Sequence, residues 1–119
     1  MTLNLLARAA YENSEIHGFW DDEPQPNRGP EAHATYLGNK LMLIVGEVSE
    51  AHEELRKNTD PRHTYYREDG KPEGVAFELA DVLIRVFDLA FAIGVDLDAA
   101  VAEKAAYNAT RPAKHGKAF

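Results

Sequence analysis

Acidic side chains recur at helical spacing in two stretches of the sequence. Glu47, Glu50 and Glu54 stand at i, i+3 and i+7. At about 100° per residue they fall within one narrow stripe of a helix. Glu78, Asp81, Arg85 and Asp88 repeat the pattern and are almost the only polar side chains between Val75 and Ile93. An acidic stripe on an otherwise apolar helix is costly to bury unless something pairs with it. Arg85 can neutralise one carboxylate. The economical partner for the rest is a hard divalent cation held by carboxylate oxygens. Mg²⁺ suits, because it favours a few carboxylates together with waters and phosphate oxygens; Mn²⁺ is an alternative. Two helices, each carrying an E-x-x-E or E-x-x-D pair, can face each other across one metal cluster. Glu47 and Glu50 would stand on one side and Glu78 and Asp81 on the other. The plainer readings are a solvated acidic face for the first stretch and, for the second, a polar stripe setting specificity in a helix–helix interface. Other signatures are missing. Glu50-Ala51-His52 and Glu78-Leu79-Ala80-Asp81 do not supply the Glu-x-x-His pairs of a di-iron bundle, and there is no Walker loop, H-E-x-x-H or G-x-S-x-G.

The elements that must position these acids are marked off by glycine and proline. A first helix is expected over about Thr2 to Ile16, with Leu3, Leu6, Ala10 and Ile16 roughly on one side and His17-Gly18 ending it. Asp21 to Pro30, with three prolines, reads as a loop. A second helix runs from about His33 to Lys57, where Leu37, Leu41, Ile44, Val48 and Leu55 recur at helical spacing, offset from the glutamate stripe. Residues 58–74 show no clear pattern and read as a long loop of the kind that is often functional. Pro72 suits a helix start. Val75 to Ile93 is apolar on nearly every side, which predicts a central, buried third helix with Gly94 as its C′ residue. Asp96 is the expected N-cap of a fourth helix reaching about Asn108. So short a connection predicts that the third and fourth helices are antiparallel neighbours. No stretch sustains a period of two, so the expected fold is all-α, a bundle of four to five helices in a single domain over residues 1–119, completed by oligomerisation.

Charge is unevenly distributed. Residues 1–103 hold 9 basic and 20 acidic side chains, a balance of −11, whereas Lys104, Arg111, Lys114 and Lys117 give the remaining residues +4. So acidic a body argues against binding duplex nucleic acid. A small phosphorylated ligand remains compatible if a metal supplies positive charge. Lys104, Asn108, Arg111, Lys114 and His115 follow one another through the basic tail; Lys and Arg offer charge-assisted donors to phosphate and Asn a neutral one. The competing reading is an exposed terminal tail. The absence of cysteine removes disulfides, thiolate zinc sites and cysteine nucleophiles, and fits a reducing cytoplasm. No apolar run approaches about 20 residues, so no membrane span is expected. Met1 to Ala10 has neither a basic start nor a long apolar stretch, so no signal peptide is expected.

In order along the chain, these segments resemble the all-α nucleoside triphosphate pyrophosphohydrolases of the MazG-like group. The family signature is E-E-x-x-E, a spacer, then E-x-x-D. Its first part here is Gly46-Glu47-Val48-Ser49-Glu50 and its second Glu78-Leu79-Ala80-Asp81, with 27 residues between. Leu43 to Ala51, Pro72 to Val82, Tyr107 to Lys117 and His17-Gly18-Phe19-Trp20 are similar to the family's metal helix, its second acidic helix, its ending and the segment after its first helix. Gly46 departs from the pattern where a first glutamate often stands, which leaves open a third ligand from this helix; Glu54 is the alternative. The resemblance implies Mg²⁺-dependent cleavage of NTPs or dNTPs between the α- and β-phosphates, giving a monophosphate and pyrophosphate. It implies a homodimer or homotetramer with sites near the subunit interface, and a role in cleaning the nucleotide pool. Glu47, Glu50, Glu78 and Asp81 would bind metal, with a glutamate of the second helix, Glu47 or Glu50, as the base. Lys104, Asn108, Arg111, Lys114 and His115 would hold phosphates. Trp20 would stack on a base or pack in the core, and Tyr65 and Tyr66 would cover the base or merely pack. Two alternatives stand beside this expectation: a non-enzymatic helical interaction module, and a phosphoribosyl-ATP pyrophosphohydrolase.

Overall fold

α3 (Val75–Ala92) is the element on which the others assemble in the computed structural model, which describes residues 2–119. Met1 lies outside the described residues. α1 (Leu3–Ile16) packs on one flank of α3 and α2 (Pro30–Lys57) on another. A hairpin of β1 (Thr64–Tyr66) and β2 (Pro72–Gly74) joins α2 to α3, and α4 (Leu97–Ala109) follows. Single turns of 3₁₀ helix occur at Pro26–Arg28 and Ala113–Gly116. The described residues are thus mostly helical, with one small sheet. No described helix is long and apolar enough to cross a membrane.

The buried apolar core is small: Ala7, Trp20, Ala51, Leu89 and Ala90. Tyr11 extends it, with its ring 5.8 Å from Trp20 and 5.0 Å from Phe91. On α1, Ala7 faces inward with Leu3, Ala10, Tyr11 and Ser14 half-buried beside it, whereas Leu6 and Ile16, expected inside, are exposed. The reversal on α2 is larger. Its buried residues are Glu47, Ala51 and Glu54, while Leu41, Val48 and Leu55 of the expected core face lie in the open. α2 meets α3 through its acidic stripe, and among the described residues nothing covers Leu41, Val45 and Val48 on the opposite side. Nor is α3 enclosed all round as expected: Leu79, Leu83 and Ile84 are each more than half exposed.

Residues 58–74 are not the patternless loop expected, because the hairpin lies within them. Its strands are antiparallel, pairing Thr64 with Gly74, Tyr65 with Glu73 and Tyr66 with Pro72. The turn is closed by the Arg67 N–H on the Lys71 carbonyl at 2.9 Å. Pro72 therefore begins a strand and not a helix. What delays α3 to Val75 is Gly74, whose φ of +127° is far from helical. A Cβ at Gly74 would stand 2.5 Å from the His63 carbonyl oxygen. Gly74→Ala is expected to cost about 2–3 kcal/mol, from backbone strain plus this clash. Urea unfolding measures it; an unchanged midpoint would mean that the hairpin does not sit this tightly on α3.

At its other end α3 stops as predicted. Gly94, at φ +77°, follows the cap, and the N–H groups of Gly94 and Val95 return to the carbonyls of Phe91 and Ala90. This paired closure is the usual glycine-terminated helix end. Asp96 caps α4, accepting from the Ala99 N–H at 3.0 Å. The predicted antiparallel packing of α3 and α4 does not occur. α4 is drawn instead to the start of α1, where the Leu97 N–H donates to Asn4 Oδ1 at 2.9 Å and the Leu3 N–H to Asp98 Oδ1 at 3.0 Å. Each helix thus satisfies orphan donors of the other's first turn. α4 then projects outward, with no residue of it buried. The radius of gyration is 17.2 Å, against about 13.5 Å for a compact chain of this length.

Candidate metal centre

The two acidic stripes meet. Oxygens of Glu47 and Glu50 on α2 and of Glu78 on α3 lie within 4.8 Å of one another. A second group of the same spacing joins Glu54, Glu73 and Glu78. Glu78 belongs to both, so five carboxylates from two helices and a strand form two adjoining groups that share it. Glu47, Glu54, Glu73 and Glu78 are buried, and Glu50 stands at the surface.

Most of these acids have a counter-charge or donor. Arg85 Nε donates to Glu47 Oε1 at 2.6 Å, as its place on the α3 stripe suggests. The Tyr65 hydroxyl donates to Glu54 at 3.1 Å, and Lys57 lies 3.5 Å from the same carboxylate. Arg67 and Lys71, from the two sides of the hairpin turn, stand 3.2 and 3.3 Å from Glu73. Burial opposes ionisation of Glu73, but Lys71 and Arg67 outweigh it and hold the carboxyl below its usual range. Among the buried acids Glu78 is the exception. It is 6% exposed, and its Oε2 is buried with no hydrogen-bond partner. Burial first, then the adjoining Glu50 carboxyl and the charge of Asp81, push it up to about 7. Asp81 is also raised, by burial and by Glu47, with Lys71 and Arg85 working against the shift.

Of the four predicted ligands, three converge. Asp81 lies beside them, sharing with Glu47 and Arg85 the lining of a cavity of about 250 Å³ between α1, α2 and α3. Trp20 lines the same cavity. It is buried, donates its indole N–H to Asp88 Oδ1 at 2.8 Å, and carries Lys40 Nζ 4.5 Å from a ring centroid. The tail residues are not brought to the acids within the chain. Lys104 and Arg111 lie over the Tyr107 ring, and Lys114 Nζ donates to the Ala118 carbonyl. Asn108 Oδ1 is buried without a partner. Lys114 and His115 both adopt positive φ, 55° and 52°, a conformation costly for such residues. Tyr66 is exposed and packs its ring near Phe77.

Sequence reasoning missed Glu73 and the cations Lys57, Arg67 and Lys71. Glu73 is five residues before Glu78 and shows no helical spacing with it, because it belongs to a strand. The available signal was weak: Glu73 is one of three acids, with Glu68 and Asp69, close to Arg67 and Lys71 at a turn containing Gly70. No family model, curated protein or solved structure matches the chain. What the geometry itself defines is a helical protein with a buried carboxylate cluster, short of positive charge at one oxygen.

Proposed function

We propose that the chain is a Mg²⁺-dependent nucleoside triphosphate pyrophosphohydrolase of the MazG-like type that its motifs resemble. It would act in the cytoplasm as a homodimer or homotetramer, clearing the nucleotide pool. The observation that carries the reading is Glu78, a carboxylate aimed into a group of carboxylates with one buried oxygen lacking any donor. That oxygen fits a cation, and an all-carboxylate donor set fits a hard one. Glu47, Glu50, Glu78 and Asp81 would hold Mg²⁺, with Mn²⁺ as a substitute. Once bound, the ion would supply the positive charge that lets triphosphate oxygens approach an acidic site and polarises the α-phosphorus.

The chain's own residues have separable roles. Arg85 fixes Glu47 by the 2.6 Å hydrogen bond and so occupies one of its carboxylate oxygens. Glu50 is exposed and has no such partner, so it is the better base. It takes the proton from a water whose oxygen attacks the α-phosphorus as the bond to the bridging oxygen breaks, releasing monophosphate and pyrophosphate. Lys104, Asn108, Arg111, Lys114 and His115 would hold phosphates from a second copy. The projecting α4, the uncovered apolar sides of α2 and α3 and the large radius of gyration support that arrangement.

Pyrophosphate release from a panel of NTPs and dNTPs is expected to need divalent metal, to stop with EDTA and to return with excess Mg²⁺ or Mn²⁺. Release that persists in EDTA, or no release from any triphosphate, sinks the assignment. The uncovered apolar sides also suit a non-enzymatic helical interaction module. That alternative predicts no heat on titrating Mn²⁺ into the protein and tolerance of Asp81→Asn.

A further inference from the structure

Arg85 and Lys71 bring positive charge to the acids in different ways. Arg85 belongs to α3 and is hydrogen-bonded to Glu47. Lys71 reaches the acids from the hairpin, on a backbone fixed at both sides. Its N–H donates to Asp69 Oδ1 at 3.0 Å, and its carbonyl accepts from the Arg67 N–H at 2.9 Å. Its side chain is 54% exposed, with the ammonium 3.3 Å from Glu73 Oε1. Glu73 adjoins Glu78, with carboxylate oxygens of the two within 4.8 Å. The charge of Lys71 carries past Glu73. Burial and Glu47 raise Asp81, and of the cations opposing them Lys71 acts ahead of Arg85. Glu73 first, and Glu78 more weakly, hold the ammonium above its ordinary value. The two acids that α3 offers a metal thus already share a cation. It sits on a flexible four-carbon stem, half in water. Glu73 does not depend on it alone, because Arg67 stands 3.2 Å from the same oxygen. A divalent ion entering at Glu78 and Asp81 must displace this ammonium or bind against its repulsion.

We propose that Lys71 is a tethered counter-ion of the metal centre, offsetting Glu78 and Asp81 in the metal-free chain and competing with the divalent ion for them. This rests on Glu78 and Asp81 being metal ligands, and it names what holds the affinity of that site down. Lys71 touches neither the reacting phosphorus nor the metal; it acts through charge. The sign of its effect is distinctive. A lysine that merely held Glu73 in place would, when removed, loosen the cluster and weaken metal binding. Removing a competitor tightens it.

Mn²⁺ is titrated calorimetrically into the full chain at about pH 8 and about 0.15 M salt, where exposed charges beyond about 8 Å are screened. Lys71→Gln is expected to lower the Mn²⁺ Kd on the order of threefold to tenfold, for one partly solvated charge removed at this range. Lys71→Arg keeps the charge and should bind as the wild type does. Arg56→Gln removes the same charge from a pair with the exposed Glu53, and should also leave the Kd unchanged. In EDTA, Lys71→Gln should melt below the wild type, and it should gain more from added Mn²⁺. A Kd that is unchanged or raised in Lys71→Gln, or lowered equally in Lys71→Arg or Arg56→Gln, overturns the proposal. The two readings fail separately. Mn²⁺ binding that Lys71→Gln does not tighten removes the counter-ion and leaves the metal centre. Tightened binding with no triphosphate hydrolysed keeps the counter-ion and removes the hydrolase. No Mn²⁺ binding by any of these proteins removes both.

Discussion

Glu78→Gln is expected to reduce pyrophosphate release by about 10³-fold or more and, in EDTA at pH 8, to raise the melting temperature. The two effects have one cause. In the metal-free chain the Glu78 carboxyl is pushed up to about 7 by burial and by Glu50 and Asp81. An acid with a raised folded-state pKa contributes stability that is fully present below its unfolded value, and loses it as pH rises through the folded one. The wild-type chain in EDTA should therefore weaken between about pH 4.5 and pH 7 as this carboxyl ionises against its neighbours. Glutamine keeps the shape and never ionises, so the variant escapes this loss while giving up a ligand. Mg²⁺ should reverse the order, stabilising the wild type and leaving the variant unchanged. Metal affinity should also climb with pH up to about 7, since the bound form requires the proton to leave. Thermal melts of both proteins at pH 5 and pH 8, with and without Mg²⁺, test the whole pattern. A variant that hydrolyses normally, or melts lower than wild type in EDTA at pH 8, removes Glu78 from the centre of the site.

The parts of this arrangement that were legible in the sequence are those governed by neighbours along the chain. Gly94 and Asp96 mark the α3–α4 boundary because cap geometry is local, and the two acid stripes follow from helical spacing alone. The hairpin was hidden because its strands are three residues long, too short for alternation to appear. Pro72 satisfies a local preference for helix starts, and only the distant His63 carbonyl against Gly74 shows why the chain stays extended there. The course of α4 was hidden for a similar reason. A short loop favours an antiparallel return, but Asn4, more than ninety residues away in sequence, competes by capping α4 itself. On α2 the period was right and the choice of inner face was not. An apolar stripe records what a helix is selected to touch, and that need not be part of its own chain. Leu41, Val48 and Leu55 point away from α3, while Glu47 and Glu54 point toward it.

That unpaired stripe sets the second large expectation: Leu83→Glu should yield a folded monomer that has lost at least about 99% of its activity, as expected when a shared site is taken apart. Leu79 and Leu83 are one turn apart on α3 and are 51% and 54% exposed; Leu41, Val45 and Val48 form a similar row on α2. Burying the exposed half of each would gain roughly 1 kcal/mol, and the sum over both copies offsets much of the cost of association. A buried glutamate would not be tolerated without a partner. Loss of activity follows if the phosphate-holding tail of one copy serves the acids of another, since within a single chain Lys104 and Arg111 lie over Tyr107 and Lys114 donates to the Ala118 carbonyl, not to the cluster. Mixing chains provides the decisive measurement. Glu78→Gln and Arg111→Ala proteins should each be inactive alone, yet when unfolded together and refolded in equal amounts should recover about one quarter of wild-type activity, because half of random dimers hold one intact site of two. Sedimentation shows whether the mixed chains have assembled. If they assemble and no activity returns, the tail does not serve a neighbour, and the basic segment reverts to an exposed terminus.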